Sequence, residues 1–242
     1  MIAPDKKVGP LRRLGRTLRL NLFRAINRQE MTAHGVRIGC GQDIPRSVRS
    51  SLFKGTYEEF ECELVKRIVR TGDHVLEIGT GIGLVSLLST RMAGEGNVLS
   101  YEANPALEEV IRGNYERNGW EPNLRMRAVT VDGGPLTFYQ NENIVSSSTI
   151  ERKLEQREIT IDSDPIAEVI GRHRPDVIVM DVEGAEIDLL TAPDLSGVRA
   201  IVVETHPHIV GAEATDAMLA HLHAQGFETR AFRHKTCLLV RD

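Results

Sequence analysis

The stretch that most constrains this chain runs from Asp73 to Gly83, DHVLEIGTGIG. Val75, Leu76 and Ile78 make an apolar run interrupted by Glu77, glycines follow at 79, 81 and 83, and Leu84, Leu87 and Leu88 then recur at helical spacing. This reads as strand, tight turn and helix. Glycine accepts positive φ and carries no Cβ, so such a turn lets a ligand come close to the backbone. The next strand-like run, NVLSYE, ends on Glu102, an acid about twenty residues further on and placed to accept hydrogen bonds from ribose hydroxyls.

Glycine spacing narrows the choice of nucleotide. A dinucleotide fingerprint, G-x-G-x-x-G, needs a third glycine where this chain has Leu84. Residues 77–83 instead read E-x-G-x-G-x-G, similar to the pattern of methyltransferases that use S-adenosylmethionine. An acid before the turn can meet that cofactor's cationic end and would repel a pyrophosphate. The expected cofactor contacts are Glu77, Gly79, Thr80, Gly81, Gly83, Glu102 and Ala103, with Asp181 added below.

At 242 residues the chain can bury a full core, and one domain with an appendage is the economical reading: an arm and connector over 1–54 and a methyltransferase domain over 55–242. Cys40, Cys62 and Cys237 are odd in number and far apart, which predicts neither a disulfide framework nor a zinc site and favours a reducing, cytoplasmic setting. No apolar run approaches the ~20 residues of a membrane span. The net charge of −4 hides an asymmetry, since residues 1–50 hold eleven Lys/Arg against three acids, leaving the remainder at −12. A basic arm on an acidic domain argues against a broad nucleic-acid footprint.

Within the arm, Leu11, Leu14, Leu18, Leu22 and Ile26 fall on one helical stripe over residues 8–28, with arginines around the rest. The stripe is expected to dock on the chain's own domain or on a second copy, and the basic face to meet an anionic acceptor or membrane surface. Residues 34–55 read as a connector. Beyond them strands and helices alternate: strands at 74–78, 97–102, 124–129, 176–181 and 198–204, helices at 84–93, about 105–118 and about 213–224, and a closing hairpin, FETRAF and TCLLV. A less regular insertion at 135–165 carries LTFYQ, Ser146 to Ser148 and ITID. The result is an α/β, Rossmann-like fold with a mostly parallel sheet and an antiparallel C-terminal edge. In such sheets ligands bind beyond the carboxyl ends of the strands, where Gly79 to Gly83, Glu102, Asp181 and Glu204 all stand.

Further motifs point to a family. DVEGAE (181–186) and ETHP (204–207) follow the fourth and fifth strands. Together with GTYEEFE (55–61), EIGTGIG, YEANP (101–105) and the serine cluster before ITIDS, the chain resembles the FkbM family of S-adenosylmethionine-dependent methyltransferases over roughly residues 55–207. The resemblance implies a class I methyltransferase fold with a seven-stranded sheet, and O-methylation of hydroxyls in natural products or in sugars of glycans and glycolipids. Two departures stand out. The family often carries Asp-x-Gly-Ala-Asn-x-Gly at the first turn, and a lysine two positions before the DVEG motif where this chain has Val179.

A hydroxyl is a poor nucleophile at neutral pH, so a base or a divalent cation should assist it. Asp181 is the first candidate for the site, with Glu183 beside it, and His206 is the first candidate base because its unperturbed pKa lies near neutrality. Asp181, Glu183, Glu204 and His206 offer oxygen ligands and one imidazole suited to Mg²⁺ or Mn²⁺, so metal dependence stays open. Two competing readings are an RNA-directed methyltransferase, against which stands DVEG in place of Asn/Asp-Pro-Pro-Tyr, and a non-catalytic binding module.

Overall fold

The computed structural model describes residues 10–25, 28–141 and 156–241. The chain begins with helix α1 (Pro10–Ala25), the hairpin β1 (Glu30–Ala33) and β2 (Val36–Gly39), and helices α2 (Arg46–Lys54) and α3 (Glu59–Ile68). The expected βα unit follows as β3 (Val75–Ile78) and α4 (Leu84–Ala93), then β4 (Val98–Tyr101), a 3-10 turn at Pro105–Leu107 capped by Asn104, α5 (Glu108–Asn118) and β5 (Asn123–Arg125). An elaboration of short strands comes next: β6 (Ala128–Thr130), β7 (Leu136–Asn141), β8 (Gln156–Ile161) and β9 (Ser163–Pro165). The second half is α6 (Ile166–His173), β10 (Val177–Met180), α7 (Glu186–Thr191), β11 (Ala200–Glu204), α8 (Pro207–Val210), α9 (Ala212–Ala224), β12 (Glu228–Arg233) and β13 (Thr236–Val240).

Seven strands form the central sheet in the order β12-β13-β11-β10-β3-β4-β5. The five from β11 to β5 are parallel and β13 runs antiparallel to both its neighbours. Both faces are covered, so the strands alternate between two cores: Val177, Val179, Ala200 and Val202 face one, Ile178, Met180, Ile201 and Val203 the other. This is why β10 and most of β11 are apolar throughout, and β3 is apolar but for Glu77. Strand order reverses between β3 and β10, and the register there is level, with Met180 opposite both Ile78 and Val203 and Ile78 opposite Tyr101. The residues that follow, Gly79, Glu102, Asp181 and Glu204, therefore share one edge at the switch point.

Three expectations fail locally. The connector expected at 34–55 is structured: His34 and Gly35 both take positive φ at the tip of the β1–β2 hairpin, and Met31, Val36, Ile38, Val48, Leu52 and Phe53 join the same core as α3 and α4. The single strand expected at 124–129 is broken, because Asn123–Arg125 finishes the sheet edge while Ala128–Thr130 leaves it to pair with Ser163–Pro165. The leucine stripe of the arm does not pack on its own domain. Helix α1 docks by the opposite side, where Leu20 is buried, Phe23 meets Phe53 edge-on at 5.3 Å and Arg16 bonds Glu59 at 2.6 Å. The side chains of Leu11 and Ile26, and the cluster Ser146 to Ser148, lie outside the described residues. All three cysteines are buried and free.

Candidate active site

A cavity of about 300 Å³ opens at the switch point, lined among others by Tyr57, Glu58, Gly79, Gly81, Glu102, Ala103, Arg127, Asp181, Glu183 and Glu204. Its floor is the glycine turn. Gly79 takes φ +89° and a Cβ there would lie 1.8 Å from the carbonyl oxygen of Asp181, so β3 and β10 leave the cavity at a separation that only glycine allows. Gly81 takes φ +58° and its missing side chain keeps the space under the Tyr57 hydroxyl open. Glu102 closes the side: its Oε2 accepts the Gly81 N–H at 2.8 Å and its Oε1 the Asn104 N–H at 2.8 Å. Burial raises the Glu102 pKa to about 7 against those backbone hydrogen bonds.

Three expected cofactor contacts lie off the cavity. The Glu77 carboxylate sits beneath the turn, accepting from Thr80 Oγ1 at 3.0 Å beside the linked hydroxyls of Ser86, Ser100 and Tyr115. Burial raises its pKa to about 7, opposed by hydrogen bonds from Ser100, Ser86 and Thr80. The Thr80 hydroxyl donates inward, to Glu77 and to the Tyr101 carbonyl. Gly83 starts α4 and packs against Ile111. An acid of the α3 approach, Glu58, does face the cavity. It holds φ +45°, and among the described residues its Oε2 is buried without a hydrogen-bond partner. Burial, with Glu61, Glu77 and Asp181 nearby, raises its pKa well above the carboxylate range against a hydrogen bond from Tyr57. Acids on the cavity wall suit a cationic amine, and the glycine floor suits a nucleoside, so these residues fit S-adenosylmethionine.

Beyond the turn of β10, Glu183 takes φ +46° and Gly184 φ +114°, and this bend keeps Asp181 and Glu183 on the cavity wall while α7 starts at Glu186. His206 follows β11 behind that wall, fully buried, with Nε2 3.5 Å from Asp181 Oδ1 and 3.4 Å from Glu204 Oε1, and Nδ1 3.3 Å from Glu186 Oε1. Glu186 is wholly buried and also accepts the backbone N–H groups of Gly184 and His206, tying the two loops together. Burial opposes the charged imidazole, but Glu186, Glu204 and Asp181 outweigh it and raise the His206 pKa to about 9. These three acids favour the protonated form of His206 at neutral pH, which weighs against the sequence reading of it as a base.

The Asp181 side chain is still 47% exposed, and partial loss of hydration at the cavity wall pushes its pKa up, to about 7, reinforced by Glu204 and opposed by His206 and Lys235. Burial works against ionisation of Glu204 too, yet hydrogen bonds from His206 and Lys235 hold its pKa low. Lys235 reaches this point because β13 pairs Thr236 with Glu204, and its Nζ bonds Glu204 and lies 3.5 Å from His206 Nε2. Asp181, Glu204 and His206 converge as a metal-type group without Glu183, and the Lys235 ammonium lies against Glu204. His208 and His234 are exposed.

The imidazolium makes a stability prediction. A folded pKa of about 9 against 6.5 unfolded means that His206 contributes stability fully present below pH 6.5 and lost as pH rises through about 9. Denaturant unfolding should show a loss on the order of 3 kcal/mol across that window. In Glu186→Gln the loss should shrink. A wild-type profile flat from pH 6.5 to 9 would show that the buried imidazole is neutral.

Sheet order, acid–glycine turn and strand-end acid together define a class I S-adenosylmethionine-dependent methyltransferase. Residues 77–229 match the methyltransferase FkbM domain, and the chain belongs to that family. It is also 38% identical over 56 residues to a ribosomal protein L11 methyltransferase of Pelotomaculum thermopropionicum, and 36% identical over 55 residues to that of Chloroflexus aurantiacus. Each match covers 23% of this chain and 18% or 16% of the relative, so the chain spans less than a fifth of these curated relatives. Among solved structures, it is similar to a ribosomal protein L11 methylase from Lactobacillus delbrueckii subsp. bulgaricus (11% identity, 75% of this chain and 77% of that one, TM-score 0.45). It is likewise similar to a Pyrococcus abyssi tRNA (uracil-54, C5)-methyltransferase in complex with S-adenosyl-L-homocysteine (14% identity, 88% and 44%, TM-score 0.47).

Proposed function

We propose that this methyltransferase acts on a hydroxyl, of a sugar in a glycan or glycolipid or of a natural product. The observation that carries this reading is Asp181, a carboxylate on the cavity wall whose raised pKa suits it to take a hydroxyl proton near neutrality. S-adenosylmethionine, when bound, would supply an electrophilic methyl group to the acceptor oxygen. Asp181 receives the proton. His206, behind it, and Lys235, on Glu204, balance the local negative charge. Glu58 would hold the cofactor's amine, Glu102 its ribose, and Gly79, Gly81 and Ala103 would let it approach the backbone. Alignment in this enclosed site is worth on the order of 7–11 kcal/mol. Among the described residues, none of 34–55 lines the cavity, and of 135–165 Leu136 does.

The test is transfer of an isotopically labelled methyl group to separate pools of glycolipid and oligosaccharide, polyketide, RNA and protein. Label should enter a hydroxyl-bearing pool as an ether stable to mild alkali. Label in RNA or protein, or cofactor binding with no transfer to any pool, would overturn the proposal.

A further inference from the structure

Helix α1, PLRRLGRTLRLNLFRA, carries five arginines and no acidic residue. Leu14, Leu18 and Leu22 stand one turn apart on one line, each within about 40° of the next around the axis. They are 57%, 61% and 58% exposed, although the opposite side of the helix is docked through Leu20, Phe23 and Arg16. Among the described residues the exposed large hydrophobics are these three with Val131 and Phe232, so most of the exposed aliphatic surface is gathered on one stripe.

Charge decides the occupant. If a second copy laid the same stripe against this one, two helices with five arginines each and no acid between them would be pressed together. An anionic bilayer surface answers both features, because acyl chains accept the leucines while headgroups pair with arginines at the flanks. Arg19 is such a flank residue, exposed and about 100° round from Leu18. Among the described residues no helix is long and apolar enough to cross a membrane, so α1 would lie in the interface. We propose that α1 binds the surface of an anionic lipid bilayer by its Leu14–Leu18–Leu22 stripe. The same helix is tied through Arg16 to Glu59, next to the cavity residue Glu58, which fixes the bound face to the segment that lines the site.

The experiment is sedimentation of the full chain with vesicles of phosphatidylcholine alone and with about a third phosphatidylglycerol, at low and high salt. Binding should require the anionic lipid and weaken as salt rises. Replacing all three leucines together (Leu14→Ser, Leu18→Ser, Leu22→Ser) should lower partitioning by on the order of 100-fold, with cofactor affinity and circular dichroism unchanged because the three side chains are exposed. Wild-type protein that ignores anionic vesicles, or a triple variant that binds as well as wild type, would overturn the proposal. A triple variant that turns a wild-type dimer into a monomer in light scattering, with no vesicle binding by either, would assign the stripe to a second copy instead.

Discussion

Asp181→Asn should lower turnover by about 10²–10⁴-fold and leave cofactor affinity little changed. The substitution keeps the shape of the side chain at the tip of β10 and removes its capacity to accept a proton. The wild-type kcat/KM should rise with pH and level off above about 7, since Asp181 must be ionised to act and its pKa lies there. His206 tunes that value from 3.5 Å away. Removing the imidazolium in His206→Gln should let burial and Glu204 push Asp181 higher, moving the rise in kcat/KM to higher pH with a modest loss at the plateau. A general base at His206 would behave differently, since the plateau itself would fall as steeply as in Asp181→Asn. Retention of more than about a tenth of wild-type turnover in Asp181→Asn would take the base role away from Asp181.

Much of this site was legible in the sequence because it depends on local pattern. An apolar run, an acid and three glycines specify strand, turn and helix within a dozen residues, and parallel topology then places Glu102, Asp181 and Glu204 on one edge without any knowledge of side-chain contacts. What was not legible depends on direction. Glu77 and Glu58 are both acids near the turn; alternation along β3 puts Glu77 on the Val75 face, under the glycines, while Glu58, preceding α3 at positive φ, lines the cavity. The GTYEEFE motif contained Tyr57 and Glu58 without indicating a role. Lys235 was readable in principle, since an antiparallel β13 beside β11 sets Thr236 opposite Glu204 and brings its neighbour to the site. Leucine periodicity in α1 found the helix and misplaced its buried face, because docking is decided by Phe23 on Phe53 and Arg16 on Glu59, pairs far apart in sequence. The hairpin at 30–39 was hidden by its composition: Met31, Val36 and Ile38 are few apolar residues among many polar ones, and the His34–Gly35 turn is not a common hairpin dipeptide.

Gly79→Ala should be the most damaging single-methyl change in the chain, and a second glycine isolates the reason. Gly79 and Gly96 share a positive φ, +89° and +87°, so replacing either by Ala carries backbone strain on the order of 1–2 kcal/mol. Around Gly96 nothing lies within 4 Å of the added methyl, whereas at Gly79 it would lie 1.8 Å from the backbone oxygen of Asp181. That oxygen cannot move alone. Asp181 N–H is bonded to the Ile78 carbonyl and Gly79 N–H to that of Tyr101, so relief requires β3 and β10 to part at the edge that carries the site. Gly96→Ala should therefore lower the melting temperature by only about 2–8 °C and leave cofactor binding intact. Gly79→Ala should cost on the order of 4 kcal/mol or more and abolish cofactor binding. Calorimetric melting with cofactor titration on the two variants separates strain from close approach. Equal losses in the two would mean that backbone strain alone explains Gly79, and that the contact between the two strand ends has no energetic weight.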